Sequence, residues 1–265
     1  MNLARAQVRA GLATPVGQGA ELVFGPSVRF ADASVPEPEI EADPLADELL
    51  PTPPALGLDP GAFDAQTHAG GFGRFQLSAV DRPANPRQGL RLAVEGGLDA
   101  GVSGPAQTYG TVLGELAAYV PLGITPQLTL ALRGGAETRI GDFPFFDAAV
   151  LGGAGSLRGY RRERFAGRTA ASASAELRAK LFDLNTYVLP LDVGVLGFVD
   201  GGRVWAGDPP DCLQDAPCFD VGGGGLQLGY GGGLWFGLLE QAVFNVSVGV
   251  SDEATLVTAG LGFAY

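Results

Sequence analysis

The sequence predicts an all-β protein, an antiparallel transmembrane β-barrel, from three observations. Apolar and polar residues alternate with a period of two, the alternating segments mostly run 10–14 residues, and short and long connections alternate along the chain. Soluble strands average about 5–6 residues, whereas a tilted membrane-crossing strand needs about 9–11. Transmembrane barrels have short turns at one rim and long loops at the other.

Composition agrees. The 265 residues include 42 Gly and 19 Pro, yet 46% are hydrophobic and only 17% charged. That hydrophobicity is too high for a disordered chain, and that much Gly is too costly for helices. No run of about 20 apolar residues offers a transmembrane helix.

Eleven strands are expected, at 2–13, 20–31, 70–80, 89–100, 108–120, 126–139, 169–182, 191–204, 223–236, 241–250 and 255–265. The clearest is TAASASAELRAKLF at 169–182. Ser172, Ser174, Glu176, Arg178 and Lys180 share one face, and Ala171, Ala173, Ala175, Leu177, Ala179 and Leu181 the other. Leu22, Phe24, Val28 and Phe30 oppose Glu21, Ser27 and Arg29 in the same way, and Phe244, Val246, Val248 and Val250 oppose Asn245, Ser247 and Ser251. In the last segment Val257, Leu261, Phe263 and Tyr265 form the apolar face. Polar faces are expected to line a lumen. Aromatics near strand ends (Tyr109, Tyr119, Trp205, Phe236, Tyr265) are expected to form an interfacial girdle, with a scatter of large core residues as the alternative.

The short connections are 14–19, 81–88, 121–125, 183–190 and 237–240; the long ones are 32–69, 140–168 and 205–222. Segment 32–67 carries nine acidic residues from Asp32 to Asp64, seven prolines and no Lys or Arg. It reads as a solvated, mobile outer loop, with divalent-cation binding as the alternative. Cys212 and Cys218 suggest a short disulfide within a loop in an oxidising compartment; two unpaired thiols are the alternative.

Several function classes are excluded. A net charge of −12 disfavours nucleic acid. With His68 as the sole histidine there is no HExxH zinc site and no Ser-His-Asp triad, and GxSxG and phosphate-loop motifs are absent. The chain therefore reads as a non-enzyme with no catalytic residue, metal site or cofactor.

Loop 140–168 is the unusual segment. It opens with FPFFDAAVLGGAGSL, too apolar for a free surface loop, and continues RGYRRERFAG, with four arginines in seven residues. A loop of this kind would fold into a polar-lined barrel as a plug. A buried arginine requires carboxylate partners, and Glu176 and Asp200 point inward on the next two strands. An arginine of this loop carried inside is expected to pair with them; a solvated surface patch is the alternative.

The series PFFDAAVLGGAGSLRGYRRERFAG, AELRAKLF, GFVDGGRVW and the aromatic-ended TLVTAGLGFAY resembles the BamA/TamA superfamily of outer-membrane assembly and translocation proteins, the bacterial surface-antigen barrel domain. The resemblance covers roughly 70–265, and residues 1–70 by pattern alone. It implies a lumen-loop lock of Arg158, Gly159 and Tyr160 against Glu176 and Asp200, which leaves Arg161, Arg162 and Arg164 as mouth or lumen-lining charges expected to face the acidic wall. It also implies a C-terminal assembly signal at Phe263 and Tyr265, with that strand zipped to the first to close the wall. The implied location is the bacterial outer membrane. The implied partners are outer-membrane lipid, unfolded barrel clients or translocated polypeptide, and periplasmic accessory proteins.

Family barrels have 16 strands and periplasmic modules. The single barrel domain at 1–265 is therefore expected to be the C-terminal part of a longer protein or a truncated product; an eleven-strand barrel closed on itself is the alternative. MNLARAQVRAGLATP lacks the apolar core of a signal peptide, so any export signal is expected outside this sequence. The competing functions are a passive pore or membrane anchor and, more distantly, a soluble β protein.

Overall fold

The computed structural model describes residues 2–34, 65–104, 107–123, 127–185, 190–205, 225–238 and 241–263. The Cys212–Cys218 pair, residues 35–64 of the acidic loop and Tyr265 lie outside them.

The strands are β1 (Asn2–Arg9), β2 (Leu12–Gly17), β3 (Ala20–Ser34), β4 (Gln66–Val80), β5 (Gly89–Ser103), β6 (Thr108–Pro121), β7 (Leu128–Gly141), β8 (Ala149–Leu151), β9 (Phe165–Gly167), β10 (Thr169–Asn185), β11 (Pro190–Trp205), β12 (Gln227–Leu238), β13 (Ala242–Val250) and β14 (Thr255–Leu261). All but β8 and β9 form one 12-stranded sheet. Each wall strand pairs antiparallel with its neighbour, in chain order from β3 to β14. Strands β1 and β2 lie end to end against β3 in one register, Arg9↔Ser27 and then Leu12↔Phe24. The break falls opposite Pro26, which accepts from the Ala10 N–H at 3.2 Å but has no N–H to return. The twelve strands therefore make eleven wall positions, the number expected from the sequence.

Alternation sorts side chains by face. Phe24, Val28, Leu98, Val112, Leu132, Leu177, Val199, Leu234 and Val257 point outward and are exposed. Against water this belt would be costly, at about 25 cal/mol per Å² of apolar area; against lipid it is matched to its solvent. Glu176, Arg178, Asp99 and Asp200 point inward and are buried.

Three sequence expectations are corrected. Tyr109 and Tyr119 are not girdle residues: they share the inward parity of Glu115 and are buried in the lumen. Phe263 does not continue the outward row of Val257 and Leu261. The strand ends at Leu261, Gly262 adopts φ +83°, and the chain turns inward. The Phe263 ring then packs edge-on to Trp235 at 5.9 Å and beneath the Arg178 guanidinium at 3.6 Å. Finally, among the described residues no ladder joins β14 to β1 or β2, so the sheet wraps the lumen without the closure expected of the last strand. With seven residues and an inward turn at its end, β14 offers little length for such a ladder.

Trp235 is buried in the lumen, lying over Gly194, its cross-strand partner on β11, and its indole N–H donates to the Val195 carbonyl at 3.2 Å. A Cβ on Gly194 would collide with the indole ring. Gly194→Ala is expected to destabilise the barrel by about 1–3 kcal/mol, as overpacking of a filled core does. The check is a lower urea midpoint for unfolding from detergent or vesicles.

Candidate functional site, a braced lumen loop

Residues 142–168 leave β7 and return to β10 through the lumen. A 3₁₀ turn at Phe145–Asp147 opens the loop, and the short β8–β9 hairpin ties its start to its end, pairing Ala149↔Gly167 and Leu151↔Phe165. The hairpin is apolar because it must pack inside. Ala149, Leu151, Leu157, Tyr160 and Phe165 form a buried cluster with Ala170, against which Val204 also packs. This explains why the loop reads as too apolar for a free surface segment.

The structure brings Arg158, Glu176 and Asp200 together. The guanidinium forks onto Asp200, with Nε to Oδ2 at 2.8 Å and Nη2 to Oδ1 at 2.7 Å. The Arg158 backbone N–H donates to the same carboxylate at 3.0 Å. Nη1 donates to Glu176, and Nη2 also donates to Ser174 Oγ at 3.0 Å. The cation lies 3.5 Å from the Phe198 ring centroid. Burial alone would lower the Arg158 pKa, but Asp200 and Glu176 outweigh it and raise the value, so the side chain stays charged. Buried charge at this density is tolerable because nearly every donor has an acceptor.

Gly159 and Tyr160 complete the seat. Gly159 has φ +101°, and a Cβ there would come 2.9 Å from the Val250 carbonyl carbon, so the loop backbone lies directly on β13. The Gly159 carbonyl accepts from Ser251 Oγ at 2.8 Å. Tyr160 OH donates to Asp252 at 2.6 Å, in the β13–β14 turn. Burial, with Asp252 second, pushes the Tyr160 phenol up to about 12.

Four features of the site escaped the sequence reading. Arg178 donates to the second oxygen of Glu176, Oε1, at 2.7 Å, so Glu176 is shared between two guanidiniums. A second anchor centres on Asp147, which accepts from Arg29 at 2.7 Å and from the Tyr109 hydroxyl. Behind it, Asp99 pairs with Arg29 at 3.5 Å, and buried His68 packs edge-on to Tyr109 at 5.6 Å. Third, Arg5 donates to the Phe146 carbonyl at 2.7 Å and Arg139 to the Asp147 carbonyl at 2.6 Å. Fourth, adjacent loop residues reach the two edges of the sheet: Glu163 pairs with Arg5 on β1 at 3.4 Å, and Arg164 with Glu253 beside β14 at 2.7 Å. Pairs so distant in sequence leave no periodic signal; only the inward parity of Arg5, Arg29 and Arg178 hinted at them. The expectation that Arg162 faces an acidic wall is not met, since its side chain is 87% exposed and pairs with Glu163 of the same loop.

Two outcomes are expected. Arg158→Ala should release the loop by about 3–5 kcal/mol, because Asp200 loses its cation while Glu176 keeps Arg178; limited proteolysis within 142–168 should accelerate sharply. Arg158→Lys should not restore protection, because an ammonium cannot fork. As to pH, a phenol whose pKa is raised from about 10 to about 12 in the seated loop stabilises seating fully below pH about 10. That contribution disappears as pH rises from about 10 to about 12. The wild-type excess in melting temperature over Tyr160→Phe should shrink across that window.

The family model of the Omp85 superfamily domain matches residues 47–250. Among solved structures, the fold is similar to BamA from Haemophilus ducreyi lacking POTRA domains 1–3, with TM-score 0.64 and 16% identity. The alignment covers 98% of this chain and 54% of that one, so this chain spans about half the length of its structural relative. At that identity the likeness is one of fold. No curated protein matches in sequence. The family model and the barrel fold together make this a bacterial outer-membrane β-barrel domain, and the chain belongs to the Omp85 superfamily.

Proposed function

We propose that the chain forms membrane-embedded machinery for assembling barrel proteins into the outer membrane, or for moving polypeptide or lipid across it, without covalent catalysis. The observation that carries this reading is the lumen loop braced by ion pairs to both edges of the sheet and to the strands between them. A passive pore gains nothing from filling its lumen with a loop held by buried ion pairs. A barrel whose wall must part and recover does gain from a strut that restores its curvature.

In this reading the loop supplies the work of holding and the strand edges supply the template. An unpaired edge presents N–H and C=O groups at strand spacing, which an incoming strand can satisfy by β-augmentation. The partners are then unfolded barrel clients or translocated polypeptide, outer-membrane lipid, and accessory proteins on the periplasmic side.

The test is reconstitution of the full chain in liposomes, with folding of a client barrel followed by heat-modifiable gel mobility. Acceleration over empty liposomes is expected, and loss of most of it in Arg158→Ala. A rate equal to that of empty liposomes would reduce the chain to a passive pore or anchor.

A further inference from the structure

Lysine and arginine are distributed very unevenly across the wall. Ten lie on strands: Arg5, Arg9, Arg29, Arg74, Arg91, Arg133, Arg139, Arg178, Lys180 and Arg203. The first nine share the inward parity, where carboxylates or carbonyls meet them, as in Arg9–Glu95 at 2.6 Å and Lys180–Asp192 at 2.9 Å. Arg203 alone points outward. It pairs across the sheet with outward Ala171 and lies two residues from outward Trp205, while its neighbours Gly202 and Val204 turn inward. Among the described residues it has no oxygen acceptor; its guanidinium rests 5.4 Å from the Trp205 ring centroid.

A cation on the lipid face is costly at mid-depth and nearly free at the interface, where it can reach headgroups. Arg203 sits near the end of β11 that carries the long connections, the outer rim of the barrel. Leu228, opposite Gly201, and Val199, four residues back along β11, are exposed on the same face, and 42%-exposed Trp205 marks the interfacial level. An arginine held on an indole at that level, with apolar surface below, presents free N–H donors to whatever anion the leaflet supplies. Phosphate is the anion whose geometry a guanidinium fork matches.

We propose that Arg203 and Trp205 form a binding site on the outer face of the barrel for a phosphate-bearing lipid headgroup of the outer leaflet. The acyl chains would lie along the apolar outward faces of β10, β11 and β12. The site would hold an ordered anionic lipid against the strands to which the lumen loop is locked from the inside, through Glu176 and Asp200.

Native mass spectrometry of the full chain, folded in micelles doped with a diphosphorylated glycolipid or with its dephosphorylated counterpart, tests the site. The wild-type protein should retain the phosphorylated lipid preferentially. Arg203→Gln should lower that retention about tenfold, the factor expected of a charge-assisted hydrogen bond, and Arg203→Lys should lose less. Equal retention of both lipids by the wild type would overturn the proposal. So would wild-type retention by Arg203→Gln, or displacement of the lipid by inorganic phosphate at equal concentration. If Arg203→Gln does not fold, the comparison of the two lipids on the wild type still decides.

Discussion

The buried fork between Arg158 and Asp200 is the interaction on which the rest of the lumen depends. A guanidinium placed inside a barrel cannot be left unpaired, so the loop that carries it has one seat. Seating Arg158 brings the Gly159 backbone onto β13 and Tyr160 within reach of Asp252. It also closes the apolar hairpin over Ala170 and Val204. No one of these contacts would hold a loop of this length in place; the ion pair sets the register in which the others become available.

The loop is also polarised along its length. Its first part offers acceptors, the Asp147 carboxylate and the carbonyls of Phe146, Asp147 and Gly155. These meet arginines from β1, β3 and β7. Its second part offers the cations Arg158 and Arg164, which meet carboxylates from β10, β11 and the β13–β14 turn. The basic cluster in an otherwise acidic chain is one half of a two-sided strut. The wall strands provide a surface that wraps, and the strut ties its two edges together. Glu163 and Arg164 lie in the half-exposed mouth, where ion pairs contribute little individually and weaken with salt. The deep anchors therefore carry the stability and the rim pairs trim the spacing.

Much of this was legible in the sequence. Strand number, strand faces and the alternation of short and long connections follow from a period of two, which depends only on local geometry. The carboxylates Glu176 and Asp200 are legible because inward parity on two successive strands leaves few candidates, whereas the choice of Arg158 among four arginines rests on the family resemblance. The Asp147 anchor is not legible, because Arg29, Tyr109 and Asp99 come from three other strands with no fixed spacing between them. For Tyr109 and Tyr119 strand-end position suggests the girdle, but parity governs and turns both rings into the lumen. At Phe263 a single glycine, Gly262, reverses the parity that the preceding residues set.

The amino-acid order by itself determined which residues face lipid, which face the lumen, and that a charged loop must fold inward. These are consequences of strand alternation and of the cost of burying charge. Only the tertiary structure decided which strand each loop charge meets, that Glu176 serves two arginines, and that the chain turns inward at Gly262 after the last strand. Those outcomes depend on the curvature of the whole sheet, which brings strands far apart in sequence to opposite sides of one lumen.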